Sequence, residues 1–204
     1  MINWLYHHTP LFFMTQSFWR DEAYSAILSA RPLLQIVKIT AGDFNPPLYY
    51  FIMHFWIMLF GQSEVALRSF SFICFAFTIL GGALILGHVG KIRSKWLYVY
   101  GALLAINPVL LYYAFEARMY SLLAVLTTFC WYFFLQKKKK AYIVVTILAL
   151  YTHYFFVFVL FSQGILMLLK SRRELFTYVR QYMLIPIIVF LPWLLYVLPH
   201  LFTK

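Results

Sequence analysis

Apolar positions in this chain run in long blocks separated by ionisable residues, with neither the two-residue alternation of a half-buried strand nor the narrow stripe of a soluble helix. Four blocks free of formal charge, at 69–90, 96–115, 119–136 and 181–203, contain 22, 20, 18 and 23 residues. About 20 apolar residues span the hydrocarbon core of a bilayer, so each predicts one membrane helix. The block at 141–169 has 29 residues and lies between two basic clusters. If both clusters share a side it crosses twice, turning near Tyr151, Thr152, His153 and Tyr154, with arms of ~18 and ~22 Å at about 1.5 Å per residue. One long tilted helix is the alternative. A turn at that depth needs protein or a water-filled cavity around it.

A shorter helix is predicted over 45–61, opened by Pro46 and Pro47 and stopped by Gly61. At ~22 Å it is short for a crossing. Tyr49, Tyr50, His54 and Trp56 suit a helix lying at headgroup depth. The segment 1–18 is apolar but carries His7, His8 and Pro10, and it reads as a poor or partial first membrane segment of a chain that starts late. The expected fold is therefore all-α: a polytopic membrane helical bundle of about six segments over 69–204, with an external juxtamembrane region over 19–68.

Composition supports this, since apolar residues reach 64% and charged residues only 11%, too few to build a water-facing surface. The 16 Tyr, 22 Phe and 6 Trp suit a lipid-solvated chain with two interfaces. A net charge of +11 would suggest nucleic acid were it not confined to gaps between apolar blocks. Lys91, Arg93 and Lys95, the run of Lys137, Lys138, Lys139 and Lys140, and the set Lys170, Arg172, Arg173 and Arg180 hold 11 of the 17 basic residues. Such loops mark the cytoplasmic side, so no nucleic-acid partner is expected and membrane lipids are. Asp21, Glu22, Asp43, Glu64 and Glu116 then fall on the external or periplasmic face, and only Glu174 inside. Cys74 and Cys130 lie within apolar runs and are assigned no role.

The one-sided acids direct attention to chemistry. Asp21 and Glu22 are adjacent carboxylates at an apolar boundary, where partial desolvation suits a general base. They also read as a solvated loop pair beside Arg20. Arg68 and Arg118 at helix mouths have the geometry to clamp a phosphate through charge-assisted hydrogen bonds. Snorkelling anchors and local ion pairs are the rival reading, and Glu64 stands at the i−4 spacing from Arg68. His153 in a mid-membrane turn is a further candidate. No phosphate loop, dinucleotide fingerprint, serine elbow or metal-type Cys and His spacing is present. No cofactor is predicted; gathered carboxylates are compatible with a divalent metal, but no ligand spacing calls for one.

Five runs occur in order: Phe18, Trp19, Arg20, Asp21, Glu22, Ala23, Tyr24; Gly42, Asp43, Phe44, Asn45, Pro46, Pro47, Leu48, Tyr49, Tyr50; Phe60, Gly61, Gln62, Ser63, Glu64 with Ala66, Leu67, Arg68; Glu116, Ala117, Arg118, Met119, Tyr120; and Thr152, His153, Tyr154. In this pattern the chain resembles the integral-membrane glycosyltransferases of the GT-C fold, in the protein O-mannosyltransferase and aminoarabinose-transferase-like group that includes the RgtA/B/C/D-like domain. The resemblance covers the chain from Trp19 onward. It implies transfer of a sugar from a polyprenyl-phosphate carrier to a lipid, glycan or protein acceptor outside a multi-pass cell membrane. By position, Asp21 corresponds to the acidic base or acceptor-orienting group and Glu22 to its partner. Arg68 and Arg118 would face the donor phosphate, while Asp43, Asn45, Glu116, Tyr120 and His153 would line the substrate site. Asn45 departs from the His or Lys usual before the Pro-Pro pair. The chain also ends early relative to such proteins, implying a complementary membrane chain or a catalytically silent module. A transport or binding protein built on the broken pair at His153 is the alternative from another class.

Overall fold

A computed structural model describes residues 9–43, 45–90 and 94–202; the expectations for His7 and His8 lie outside them. Among the described residues a 3-10 helix, Pro10–Thr15, precedes eleven α-helices: α1 (Arg20–Ser29), α2 (Leu33–Gly42), α3 (Leu48–Phe60), α4 (Glu64–Gly90), α5 (Ser94–Ala105), α6 (Pro108–Ala114), α7 (Tyr120–Leu135), α8 (Lys139–Leu150), α9 (Phe156–Lys170), α10 (Arg172–Tyr178) and α11 (Leu184–Phe202). A π-helical turn at Val179–Met183 joins α10 to α11. No strand occurs among the described residues.

Several boundaries follow from local chemistry. Helix α3 ends at Gly61, whose φ of 83° is a backbone state that side chains resist. Ser63 Oγ then accepts from the Ala66 N–H at 3.2 Å, capping the 27-residue α4. The expected break at 151–154 is present: α8 stops at Leu150 and α9 begins at Phe156. The backbone N–H of Leu48 donates to the Tyr151 carbonyl at 3.0 Å, tying the start of α3 to that turn.

Other expectations change. The block 96–115 is two helices bent by 67°, because Asn107 Oδ1 caps Val109 and Leu110 and Pro108 occupies the first helical position. The region 19–68 is three helices with short links rather than a loop bearing one. The basic stretch after Lys170 is already helical, so the last apolar helix runs over Arg172–His200. Among the described residues two helices, Glu64–Gly90 and Arg172–His200, are long and apolar enough to cross a membrane, or three if the bent pair is one span. The 16-residue α7 and 15-residue α9 are shorter. An all-helical membrane protein with two or three membrane-length helices is therefore what the fold supports, in place of about six separate spans.

Two buried cores meet along α7. One gathers Leu28, Ile36, Tyr49, Met53, Leu67 and Leu122 from α1–α4 and α7; the other gathers Cys130, Tyr142, Phe156, Leu160 and Trp193 from α7–α9 and α11. Leu126 packs against both. Inside the second core the Tyr142 hydroxyl donates to Gln163 Oε1 at 2.6 Å, and Tyr178 Oη donates to the same oxygen at 3.1 Å. This polar knot joins α8, α9 and α10 where no water is available to satisfy the groups.

Helix α4 packs on α7 closely at Gly81, where an added Cβ would stand 2.7 Å from Thr128 Cγ2 and 3.4 Å from Phe129 Cε2. At Gly164 in α9 the nearest side-chain atom would be 3.9 Å away. Gly81→Val should therefore lower stability by about 1–3 kcal/mol through overpacking against a stiff β-branched neighbour, while Gly164→Ala stays within about 1 kcal/mol of wild type. Thermal unfolding of both variants in the same detergent checks the contrast.

Candidate functional site

Asp21, Glu22, Arg68, Glu116 and Arg118 converge where the N-terminus of α1, the start of α4 and the turn between α6 and α7 meet. Asp21 and Glu22 lie in the first turn of α1, where carboxylates complement the helix dipole. One helical step separates them, so they face different surroundings. Glu22 turns inward and is 1% exposed; Asp21 turns outward, its side chain 46% exposed.

Glu22 is fully engaged. Arg68 Nε donates to its Oε1 at 2.9 Å and Nη2 to its Oε2 at 2.6 Å, a two-pronged pair sealed from solvent. The Ala117 backbone N–H adds a bond to Oε1 at 2.8 Å, and the Trp19 N–H approaches Oε2 at 3.4 Å in the manner of a capping box. Arg68 is 3% exposed, and its Nη1 donates to the carbonyls of Phe13 at 2.7 Å and Gln16 at 2.5 Å. The ion pair that spacing suggested with Glu64 is replaced by this long-range one. Arg68 was expected to face a donor phosphate; its guanidinium is instead occupied by Glu22 and two backbone oxygens.

Arg118 is different. Its Nη1 lies 3.0 Å from Asp21 Oδ2 and 3.5 Å from Glu116 Oε1, and its side chain keeps 22% exposure. The guanidinium sits 4.7 Å from the Tyr120 ring centre, and that ring lies 5.8 Å from the His153 imidazole. The turn after α8 thereby joins the same cluster. His153 Nδ1 accepts from the Phe155 N–H at 3.1 Å. Asp43 accepts a hydrogen bond from the Tyr24 hydroxyl. Tyr50, its hydroxyl pushed up to about 12 chiefly by burial, feels the charges of Arg118, Asp43 and Asp21. Burial and the bond to Asp43 likewise push the Tyr24 hydroxyl up, so both tyrosines are donors at neutral pH. Asn45 is half-buried in the link between α2 and α3, and its backbone N–H donates to Thr40 at 3.0 Å.

Glu116 is held by the tight turn before α7. Ser71 Oγ donates to its carbonyl at 2.6 Å, and the residue is 4% exposed. Among the described residues its Oε2 has no hydrogen-bond partner. Loss of water around it raises its pKa, which Arg118 opposes. It also lines a cavity of about 460 Å³ together with Trp19, Leu111, Tyr112 and Phe115 and the polar Gln16, Ser17, Glu22 and Arg68.

The structure thus gathers Asp21, Glu22, Arg68, Glu116, Arg118, Tyr120 and His153 into one connected set, with Asp43 joined to α1 through Tyr24. Sequence reasoning missed the Ala117 N–H, Tyr24, Tyr50 and the cavity wall. A backbone donor leaves no trace in residue identity, whereas Tyr24 lies within the Trp-Arg-Asp-Glu-Ala-Tyr run that carries the resemblance. Among the described residues no group of three or more His, Cys, Asp or Glu side chains is arranged to hold a metal ion. Comparison with protein-family models, curated proteins and solved structures finds no match.

Two outcomes follow from this geometry. Glu22→Gln and Arg68→Ala each leave a buried charge without its partner, and each should destabilise the fold by about 3–5 kcal/mol, whereas Asp21→Asn should leave it folded. Detergent-solubilised melting curves distinguish the two classes. The second concerns pH: the folded pKa of Glu116 lies above its unfolded value, so its favourable contribution is present below the unfolded pKa and is lost as pH rises through the folded one. Glu116→Gln should therefore flatten the decline in melting temperature between acidic and neutral pH, measured against wild type over the same series.

Proposed function

We propose that this chain is a membrane glycosyltransferase, or the module of one, that moves a sugar from a polyprenyl-phosphate carrier to an acceptor hydroxyl at the outer face of a cell membrane. The observation that carries the reading is the meeting of Asp21 and Arg118 at 3.0 Å, both reachable from outside, beside Tyr120 and His153. An accessible carboxylate and guanidinium are the two groups that transfer from a phosphate leaving group requires: one to take a proton, one to receive developing negative charge.

In the resting state each neutralises the other. A donor phosphate arriving at Arg118 offers the guanidinium a second oxyanion and frees Asp21 to accept the acceptor's O–H proton. The acceptor oxygen then bonds to the anomeric carbon as the bond from that carbon to the phosphate oxygen breaks, and the electron pair leaves with the phosphate. Arg118 holds that charge, with Tyr120 packed beneath its plane. Within this reading Glu22 and Arg68 are positioning residues, since they fix the turn of α1 that carries Asp21. In this reading Tyr120, His153, Asp43 and Asn45 are the side chains that would contact the sugar.

Membranes containing the chain, supplied with radiolabelled polyprenyl-phosphate sugars of several types, should transfer label to an acceptor, and Asp21→Asn should reduce that rate by about 10²-fold or more. Arg118→Lys retains charge but loses the planar fork, and should also impair transfer. Equal transfer by wild type and Asp21→Asn removes that carboxylate from the mechanism. Absence of transfer from every donor, by a chain whose melting curve shows it folded, favours a silent module or a binding protein instead.

A further inference from the structure

We propose that the cleft between α9 and α11 seats one acyl chain of an anionic phospholipid, whose phosphate rests on the basic corner formed by Lys170, Arg172, Arg173 and Arg180. Neither Asp21 nor Arg118 lines this cleft, and its occupancy does not depend on the transferase reading.

The cleft arises because the chain reverses at Ser171. This residue is extended, and its Oγ accepts from the Glu174 N–H at 3.1 Å, so α9 ends and α10 starts around one position. Helix α11 then packs on α8 and α2, while α9 packs on α10. A cavity of about 660 Å³ lies between them. Its α9 wall includes Val157, Phe161, Gly164 and Leu168, the spacing of one helix face, and its α11 wall includes Ile187, Leu191 and Leu194. At Gly164 an added Cβ would meet only Leu175 Cδ1 within 4 Å, at 3.9 Å, so the glycine keeps the middle of the cleft wide. The two tyrosines of the lining already have their hydroxyls engaged: Tyr154 Oη accepts from Trp193 Nε1 at 3.0 Å, and Tyr178 Oη donates to Gln163 Oε1 at 3.1 Å. The wall therefore asks no hydrogen bond of its occupant, which suits hydrocarbon.

Size and charge select the occupant. From Val157 to Leu168 the α9 wall rises about 16 Å, roughly half of a hydrocarbon core of about 30 Å, so the cleft is about one leaflet deep. Spread over that length, 660 Å³ gives a cross-section of roughly 40 Å², about half that of a helix about 10 Å across. A lipid chain enters where a helix of a second copy does not. One end of the cleft is basic: Leu168 is two residues from Lys170, Leu175 is two from Arg173, and Val179 is next to Arg180. Lys170, Arg172, Arg173 and Arg180 are all exposed, and among the described residues none of them is in an ion pair. Against these four cations the corner holds one acid, Glu174. A phosphate is held there by charge while burial of its chain in the cleft anchors it, a combination that a zwitterionic headgroup satisfies only in part.

The test is native mass spectrometry of the full chain in detergent, titrated with dioleoyl phosphatidylglycerol or dioleoyl phosphatidylcholine, which share their chains and differ in charge. Phosphatidylglycerol should be retained with about tenfold higher affinity or more, and Arg172→Gln combined with Arg173→Gln should bring it close to the level of phosphatidylcholine. Gly164→Leu and Leu191→Trp fill the cleft without altering charge, and each should weaken phosphatidylglycerol about fivefold or more, with melting curves to show that the variants are folded. Equal retention of the two lipids by wild type, or retention insensitive to the arginine pair, overturns the proposal. Undiminished retention by the folded cleft-filling variants also overturns it, since the chain then lies elsewhere. So does retention of a polyprenyl phosphate in preference to phosphatidylglycerol, unaffected by the arginine substitutions, which assigns the cleft to a chain held from the Arg118 side. Recovery of lipid-free dimers that Gly164→Leu dissociates assigns it to a second copy instead. Asp21→Asn should leave retention unchanged, so failure of sugar transfer and failure of this site are read separately.

Discussion

The buried pair of Glu22 and Arg68 is the constraint around which the first half of this protein is arranged. Removing two charges from water costs several kcal/mol each, and only close geometry with every remaining lone pair and proton satisfied offsets that cost. The chain meets the condition by drawing four separate pieces of backbone to one point. Helix α1 supplies the carboxylate and α4 the guanidinium. The turn before α7 supplies the Ala117 N–H, and the 3-10 helix and the residue that follows it supply the carbonyls of Phe13 and Gln16. Moving any one of these pieces by a helical turn would leave a charge or a donor unmatched in an apolar surround. The pair thereby fixes the rotation of α1 about its axis and, with it, the direction in which Asp21 points.

Adjacent carboxylates consequently become chemically unlike. Glu22 accepts from the buried arginine and two backbone N–H groups, while Asp21 keeps one ion pair and solvent access. Glu116, a third carboxylate, lies between these extremes: buried like Glu22, but bonded on one oxygen only. A gradient from saturated to accessible arises because three acids compete for two guanidinium groups, and the fold has assigned the better geometry to the pair farthest from water.

Much of the helix punctuation was legible in the sequence, because it depends on residues whose backbone preferences are strong. Gly61 stops α3 where its positive φ allows, and the break after Leu150 falls where the two-crossing reading of the 29-residue apolar block put one. Asn107 and Pro108 carried an equally strong signal, a cap followed by a proline at the first helical position, but block length alone concealed it. The number of membrane-length helices was overestimated for the same reason, since absence of charge measures polarity and says nothing about where a helix bends or stops. At the site, residue identity located Asp21, Glu22, Arg68, Glu116 and Arg118 but not their partners. Local spacing favoured Glu64 for Arg68, whereas burial favoured Glu22, forty-six positions away. Local spacing is decisive only for exposed pairs, whose small energies leave the fold free to choose otherwise.

The two arginines show how the same residue type acquires opposite duties. Arg68 is bonded along its whole fork to groups that cannot leave without unfolding α1, so exchange of those partners for a ligand would strand a carboxylate in the interior. Arg118 meets Asp21 through a single nitrogen at a partly open surface, where solvent screens the separated charges and the lost bond is replaced by water. Only the second kind of pair can open and close at low cost. Of the two arginines, Arg118 is the one whose partner can be exchanged for an added oxyanion, and the rigidity that makes Arg68 unsuitable for exchange is what holds the exchangeable pair in place.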